Sequence, residues 1–348
     1  MPRISIVTCT RSPDPALLSR VLAAVRRLTV PEGWTREYRL IDSASPEPLE
    51  RVSVVAEFLA GLTASVSASE RASTAAGAMW AKVHRTEEPG LSAARRLAVQ
   101  EATGELLVWF DDDNVPEPDY LTHVVSTALA HTEVGAWGAG RIAVEFTGPV
   151  ADWVEREMRP FFQERRHTRD EFGMSTTWAP FFPVGSGLVT RRATIARWAD
   201  ATARGTYTLT GRSGTQLSAG DDAQIIFGAV AAGERVGVVA GQALTHLIPP
   251  TRCTEDYLAR LEFGLSASLR VARAECFPAA RLGAAEDLGL VEAVRAALKA
   301  RRVHGDDGAR FARFELARRL GALAGTLRTQ SRAEPWWLRS AISALRLR

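Results

Sequence analysis

Apolar and polar positions alternate in blocks along the first third of the chain. Ile4-Ser5-Ile6-Val7-Thr8 is a short apolar run that ends in a polar turn, Cys9 to Pro13. Leu18, Val21, Leu22, Val25 and Leu28 then recur at helical spacing. Asp14 is placed to cap that helix, with Pro15 at its first position. Tyr38-Arg39-Leu40-Ile41 predicts a second strand with Asp42 at its C-terminal end, and Leu49, Val52, Val55, Ala56 and Leu59 predict a helix over 47–60. Residues 61–79 are rich in Ala, Ser and Thr and show no period, so they predict an insertion or an unread helix. Ser92 is expected to cap a helix running to Thr103, with Gly104 as its stop. Leu106-Leu107-Val108-Trp109-Phe110 is continuously apolar, as in a strand covered on both faces, and it runs into Asp111-Asp112-Asp113-Asn114.

Such alternation implies an α/β fold with an open, Rossmann-like sheet, and sheets of this kind bind ligands beyond their strand C-termini. Thr8, Asp42 and Asp111 to Asp113 all fall at that rim. Beyond residue 120 the alternation loosens. A helix is expected near 119–131, followed by an aromatic and Arg-rich stretch containing Trp153, Phe161, Phe162, Trp178, Phe181 and Phe182. These aromatics suit either a ligand-stacking surface or core, and core is the reading preferred. Val184 to Val189 reads as a glycine-bearing strand, 221–232 as a helix opening on Asp221-Asp222, and Val236–Ala240 and Leu244–His246 as strands. From 251 the chain reads as helical. The expected division is 1–118, 119–250 and 251–348.

Three adjacent carboxylates raise one another's pKa, and a hard divalent cation removes that cost. The strand is expected to put Asp111 and Asp113 on one side, sharing a cation; a solvated acidic turn is the plainer alternative. Asp221 and Asp222 open a helix, where the dipole favours anions, so capping competes with a catalytic role. For Asp222 that role is general base toward a hydroxyl. His246, at a strand end, is a structural histidine or a further metal ligand. There is no Ser-His-Asp order, P-loop or GxGxxG pattern.

Composition narrows the classes. The 348 residues carry a formal charge of only +3, which gives no basis for a nucleic-acid partner. Cys9, Cys253 and Cys276 lie far apart, the N-terminal stretch lacks the order of a signal peptide, and no apolar run reaches membrane length. A cytoplasmic setting is therefore expected. Arginines crowd the last segment around the stripe Leu316, Leu320, Leu323 and Leu327, with Trp336-Trp337 beyond it. That pattern leaves open peripheral contact of 301–348 with the inner face of the cell membrane, packing on the rest of the chain, and a homodimer.

The pieces together resemble glycosyltransferase family 2, with the GT-A fold, over about residues 3–260. Ile4–Thr8 resembles the first nucleotide-binding strand, Ile41-Asp42-Ser43-Ala44-Ser45 the family's Asp-Asn-x-Ser turn, and Pro89–Arg95 its Gly-x-x-x-Ala-Arg-Asn loop and helix. Phe110 to Tyr120, FDDDNVPEPDY, is similar to the metal-binding motif; Gly185-Ser186-Gly187 with Arg191-Arg192 resembles the acceptor-side strand, and Gly220-Asp221-Asp222 the family's Gly-Glu-Asp. The chain departs from these patterns with Arg96 for Asn, Asp221 for Glu, and Pro46-Glu47 after Ser45.

The resemblance implies a mixed central sheet, a C-terminal helical region and transfer of a sugar, with inversion, from a nucleotide-diphosphate sugar. It implies donor contacts by Thr8, Thr10, Arg11, Asp42, Arg95, Asp111 and Asp112. Mn2+ or Mg2+ is expected on Asp111 and Asp113, with His246 as a further ligand. Asp222 is expected to be the base. The acceptor is left as a glycan, a lipid-linked or a small molecule, in polysaccharide or glycoconjugate synthesis. A nucleotidyltransferase and a silent nucleotide-sugar-binding scaffold are the alternatives.

Overall fold

A computed structural model describes residues 1–64, 79–211, 220–279, 295 and 307–348. Its first elements are β1 (Arg3–Thr10), α1 (Pro15–Arg27), β2 (Thr35–Ser43), α2 (Ser53–Ala64), β3 (Met79–Thr86), α3 (Leu91–Glu101) and β4 (Leu106–Trp109). The four strands are parallel and lie in the order β3-β2-β1-β4. Local chemistry starts α1 as expected: Asp14 accepts from the N–H groups of Ala16 and Leu17 at 2.8 and 3.4 Å. Leu18, Val21, Leu22 and Val25 then bury against the sheet in one core with Ile4, Ile6 and Leu40.

The chain continues through β5 (Asn114–Pro116), α4 (Tyr120–Ala130), β6 (Val134–Phe146), α5 (Asp152–Glu157), β7 (Arg165–Arg166), β8 (Glu171–Gly173), β9 (Leu188–Arg191), α6 (Arg192–Ala203), α7 (Asp221–Ala231) and β10 (Arg235–Ile248). β9 joins β4 to β6 antiparallel, β6 and β10 run parallel, and β5 closes the order antiparallel to β10. The sheet is therefore mixed and continuous across residue 118. Last come α8 (Glu255–Cys276), α9 (Gly308–Thr329) and α10 (Trp336–Ala344).

Several local expectations are corrected. α3 begins at Leu91 behind Gly90, whose φ is +122°, and Ser92 lies inside the helix, donating to the Leu209 carbonyl at 2.8 Å. Gly104 is required by proximity: a Cβ there would sit 2.6 Å from the Ser5 nitrogen. The helix expected over 47–60 divides into a 3-10 turn, Leu49–Arg51, and α2. Val184 to Gly187 form a turn that precedes β9. The two strands expected around 236–246 are one, β10, with a register shift between Val239 and Ala243. Part of the Ala/Ser tract, 65–78, lies outside the described residues, but Met79 already belongs to β3. This edge strand buries few side chains, and Trp80 is 52% exposed, so its period was weak.

The leucine stripe packs inward. Leu320, Leu323 and Leu327 are buried in a cluster with Leu258 and Phe263 of α8. The two backbones meet so closely that a Cβ on Gly321 would fall 2.2 Å from the Phe263 carbonyl oxygen. Buried leucines present no face to lipid. Trp336 remains 72% exposed, and the arginines at 301 and 302 lie outside the described residues. Among the described residues, no helix is long and apolar enough to cross a membrane.

Candidate active site

One cleft, of about 930 Å³, opens at the C-terminal ends of β1 and β4 and is closed from the other side by α7, α8 and the 160–167 segment. Its floor is the turn after β4. The Phe110 N–H donates to the Val7 carbonyl, which carries the chain across β1. Asn114 then folds the turn back, its side-chain oxygen accepting from the Asp111 N–H at 3.1 Å. β4 ends at Trp109, so Asp111 and Asp113 are not successive positions on one strand face. The turn still turns Asp111, Asp112 and Asp113 to the same cleft.

Asp113 is the most tightly held of the three. Arg252 donates to Oδ2 at 2.5 Å, Asn114 Nδ2 donates to Oδ1 at 2.8 Å, and His246 Nε2 stands 3.5 Å from Oδ1. The other ring nitrogen of His246 lies 2.8 Å from the Phe162 carbonyl, which fixes Nδ1 as the protonated nitrogen. Burial opposes the His246 charge, but the Asp113 carboxylate outweighs it and raises the imidazole. Burial would likewise raise Asp113, yet His246 and Arg252 together hold it well below the usual carboxylate range. Asp112, beside the Thr10 hydroxyl, is pushed up to about 6 by burial and then by Asp113.

The second wall of the cleft is the start of α7. Its cap is Gly220, at φ +142°. Asp221 therefore does no capping; it is buried in an ion pair with Arg95 of α3. Asp222 is half-buried, accepts from the Ala223 N–H at 2.8 Å, and faces Gly185, where a Cβ would come 3.0 Å from its Oδ2. Burial, followed by Asp221, raises the Asp222 carboxyl above its ordinary value.

The cleft gathers Thr10, Arg11, Arg95, Asp111, Asp112, Asp113, Asp222 and His246. Thr8 and Asp42 are not on its surface. Thr8 is buried within the sheet; Asp42 is also buried, accepting from the Ser45 N–H and Arg85, both at 2.8 Å, and Ser43 lines the wall instead. Phe161, Phe162 and Trp178 line the cleft, whereas Phe182 is core, so the aromatic stretch is divided between the two. Sequence reasoning missed Arg252, Arg165, Gln163 and Glu262. Arg252 follows His246 by six positions, across the Pro249-Pro250 bend, and no periodicity marks it.

The donor set suits a hard divalent cation. Among the described residues no group of three or more His, Cys, Asp or Glu side chains is placed to hold a metal ion together. Mg2+ and Mn2+ ask for less: one or two protein ligands, with phosphate and water supplying the rest. Asp113 is held by Arg252 and His246 by the Phe162 carbonyl, and a cation would offset the repulsion that Asp113 adds to burial at Asp112.

Residues 71–193 match the family model described as Glycosyl transferase family 2. That match spans about a third of the chain and marks this stretch as similar to the family. Among solved structures, the chain is similar to the mannosyltransferase PcManGT from Pyrobaculum calidifontis in complex with GDP-Man and Mn2+. The TM-score is 0.53 at 18% identity, over 92% of this chain and 87% of that one. It is also aligned with S. aureus TarS 1-349, at TM-score 0.43 and 12% identity over 96% and 93% of the two chains. No curated protein sequence matches. The likeness to the mannosyltransferase is one of fold, the GT-A α/β arrangement with its mixed sheet.

Proposed function

We propose that the chain transfers a sugar from a nucleoside diphosphate sugar to an acceptor hydroxyl, inverting the anomeric centre, with Mn2+ or Mg2+ as its cofactor. The observation that carries this reading is the meeting of two acidic groups on one cleft: the Asp111 to Asp113 turn, and Asp222 on the opposite element. The complex of the mannosyltransferase with GDP-Man and Mn2+ supports a cation-dependent nucleotide-sugar donor.

Thr10, Arg11 and Ser43 bind the nucleotide side of the donor, while Thr8 and Asp42 support that wall from behind. Asp42 does so through Ser45 and Arg85. Asp113, with either Asp111 or His246 as a second ligand, would hold the cation, which when bound neutralises charge on the departing diphosphate. Asp222 takes the proton from the acceptor hydroxyl as its oxygen attacks the anomeric carbon. Its raised pKa makes it a stronger base than a free aspartate, and one carboxylate suffices for such an in-line displacement. Arg95, paired with Asp221 next door, offsets part of the rise that burial and Asp221 impose on Asp222.

Incubation of the full chain with Mn2+, a panel of nucleotide sugars and glycan or lipid-linked acceptor fractions tests the reaction class. Release of nucleoside diphosphate is expected. Release of pyrophosphate would replace this reading with nucleotidyl transfer.

A further inference from the structure

The cleft contains a cation that the chemistry above does not use. Arg165, on β7, reaches the cleft wall and donates through one nitrogen to the Phe182 carbonyl at 3.0 Å. A guanidinium has five N–H donors, so this bond leaves most of its capacity free. The other cleft arginines differ: Arg95 is paired with Asp221 and Arg252 with Asp113, while Arg11 is exposed at the mouth. Burial depresses Arg165 to about 10, and no charged neighbour among the described residues offsets that cost. Charges are buried without compensation where a ligand supplies it.

A second residue of the same segment points the same way. Gln163 lines the cleft in the left-handed region, at φ +70°, and its side-chain oxygen is buried without a partner. Strained backbone and an orphaned amide recur where a ligand completes the structure. The adjoining acids do not cancel Arg165. Glu164 is engaged by Arg159 at 3.3 Å, and burial raises Glu262 on the facing helix toward its neutral form. The same cleft also has apolar lining, with Phe161, Trp178, Leu261 and Leu265.

Position decides which substrate is met. Phe182, to which Arg165 is tied, leads within three residues to Gly185, the glycine that abuts Asp222. We propose that Arg165, with Gln163 beside it, binds an anionic group, a phosphate ester or a carboxylate, carried by the acceptor whose hydroxyl faces Asp222. The acceptor is then an anion with an apolar portion. This assignment rests on the glycosyltransferase reading of the same cleft.

Calorimetry on the full chain, with Mn2+ and saturating UDP or GDP to fill the donor side, tests it using phenyl phosphate, benzoate and the neutral phenyl glucoside. Wild type is expected to bind at least one of the two anions, and the tighter one identifies the acceptor's charged group. Arg165→Gln should weaken that anion by about tenfold or more, the loss of a charge-assisted bond, and Arg165→Lys should recover part of it. Phenyl glucoside, nucleotide affinity and melting temperature should not move. Equal anion affinity in Arg165→Gln, a loss confined to nucleotide binding, or no anion binding by a wild-type chain that binds nucleotide would overturn the proposal. Failure of both UDP and GDP to bind would overturn the donor-site reading, and this one with it.

Discussion

Arg95 and Asp221 form a buried ion pair that ties α3 to the first turn of α7, immediately beside Asp222. The helix α3 and the proposed base, Asp222, are thus connected through one contact. Breaking such a pair leaves an uncompensated buried charge, whereas replacing both partners with apolar residues does not.

Arg95→Met is accordingly expected to destabilise the chain by about 3–5 kcal/mol, and Arg95→Met/Asp221→Leu to recover much of that loss. Urea denaturation of wild type, both single variants (Arg95→Met and Asp221→Leu) and the double variant checks it. Additive losses in the double variant would show that the pair is not a coupled unit.

The base assignment makes a pH prediction. A general base works deprotonated, and burial with Asp221 raises the Asp222 carboxyl, so activity falls earlier on acidification than an ordinary aspartate would allow. The acid limb of the kcat profile should lie above about 3.9, the free aspartate value. Asp222→Asn should keep nucleotide affinity and lose transfer by about 100-fold to 10,000-fold, the usual contribution of a general base. Near-wild-type transfer by that variant would remove Asp222 from the mechanism.

The α8–α9 contact is core. Leu320 is 1% exposed, and Leu320→Ala should cost about 2–5 kcal/mol, the range for a large-to-small change in a packed interior. Sedimentation with anionic vesicles should be the same for this variant and wild type in their folded state. A selective loss of vesicle binding without loss of stability would return the stripe to the lipid surface.

Much of this was legible in the sequence wherever the determinant is local. Asp14 and Pro15 start α1 through bonds to the next few residues, and the apolar run 106–110 delivers the three aspartates to the sheet rim because a strand has to end there. Direction is harder to read than position. Thr8 and Asp42 sit at the rim as expected, yet their side chains are turned inward by the sheet and by the Ser45 turn. The leucine stripe is a real helical face, but only the glycines at 321 and 325, opposite Phe263 and Ala267, reveal what covers it. Arg252 and Arg165 carry no sequence signal at all. Each reaches the cleft from a short element whose path is set by β10 and β6, and that is a property of the tertiary structure alone.

The central claim is that Asp113 anchors a cation-dependent nucleotide site. Titration of the wild-type chain and Asp113→Ala with UDP and GDP, each with Mn2+ and with chelator, tests it most directly. One nucleotide is expected to bind wild type in Mn2+, to weaken sharply in chelator, and to show no Mn2+ effect in Asp113→Ala. Equal nucleotide binding with and without Mn2+ in wild type, or an unchanged Mn2+ effect in Asp113→Ala, would contradict it.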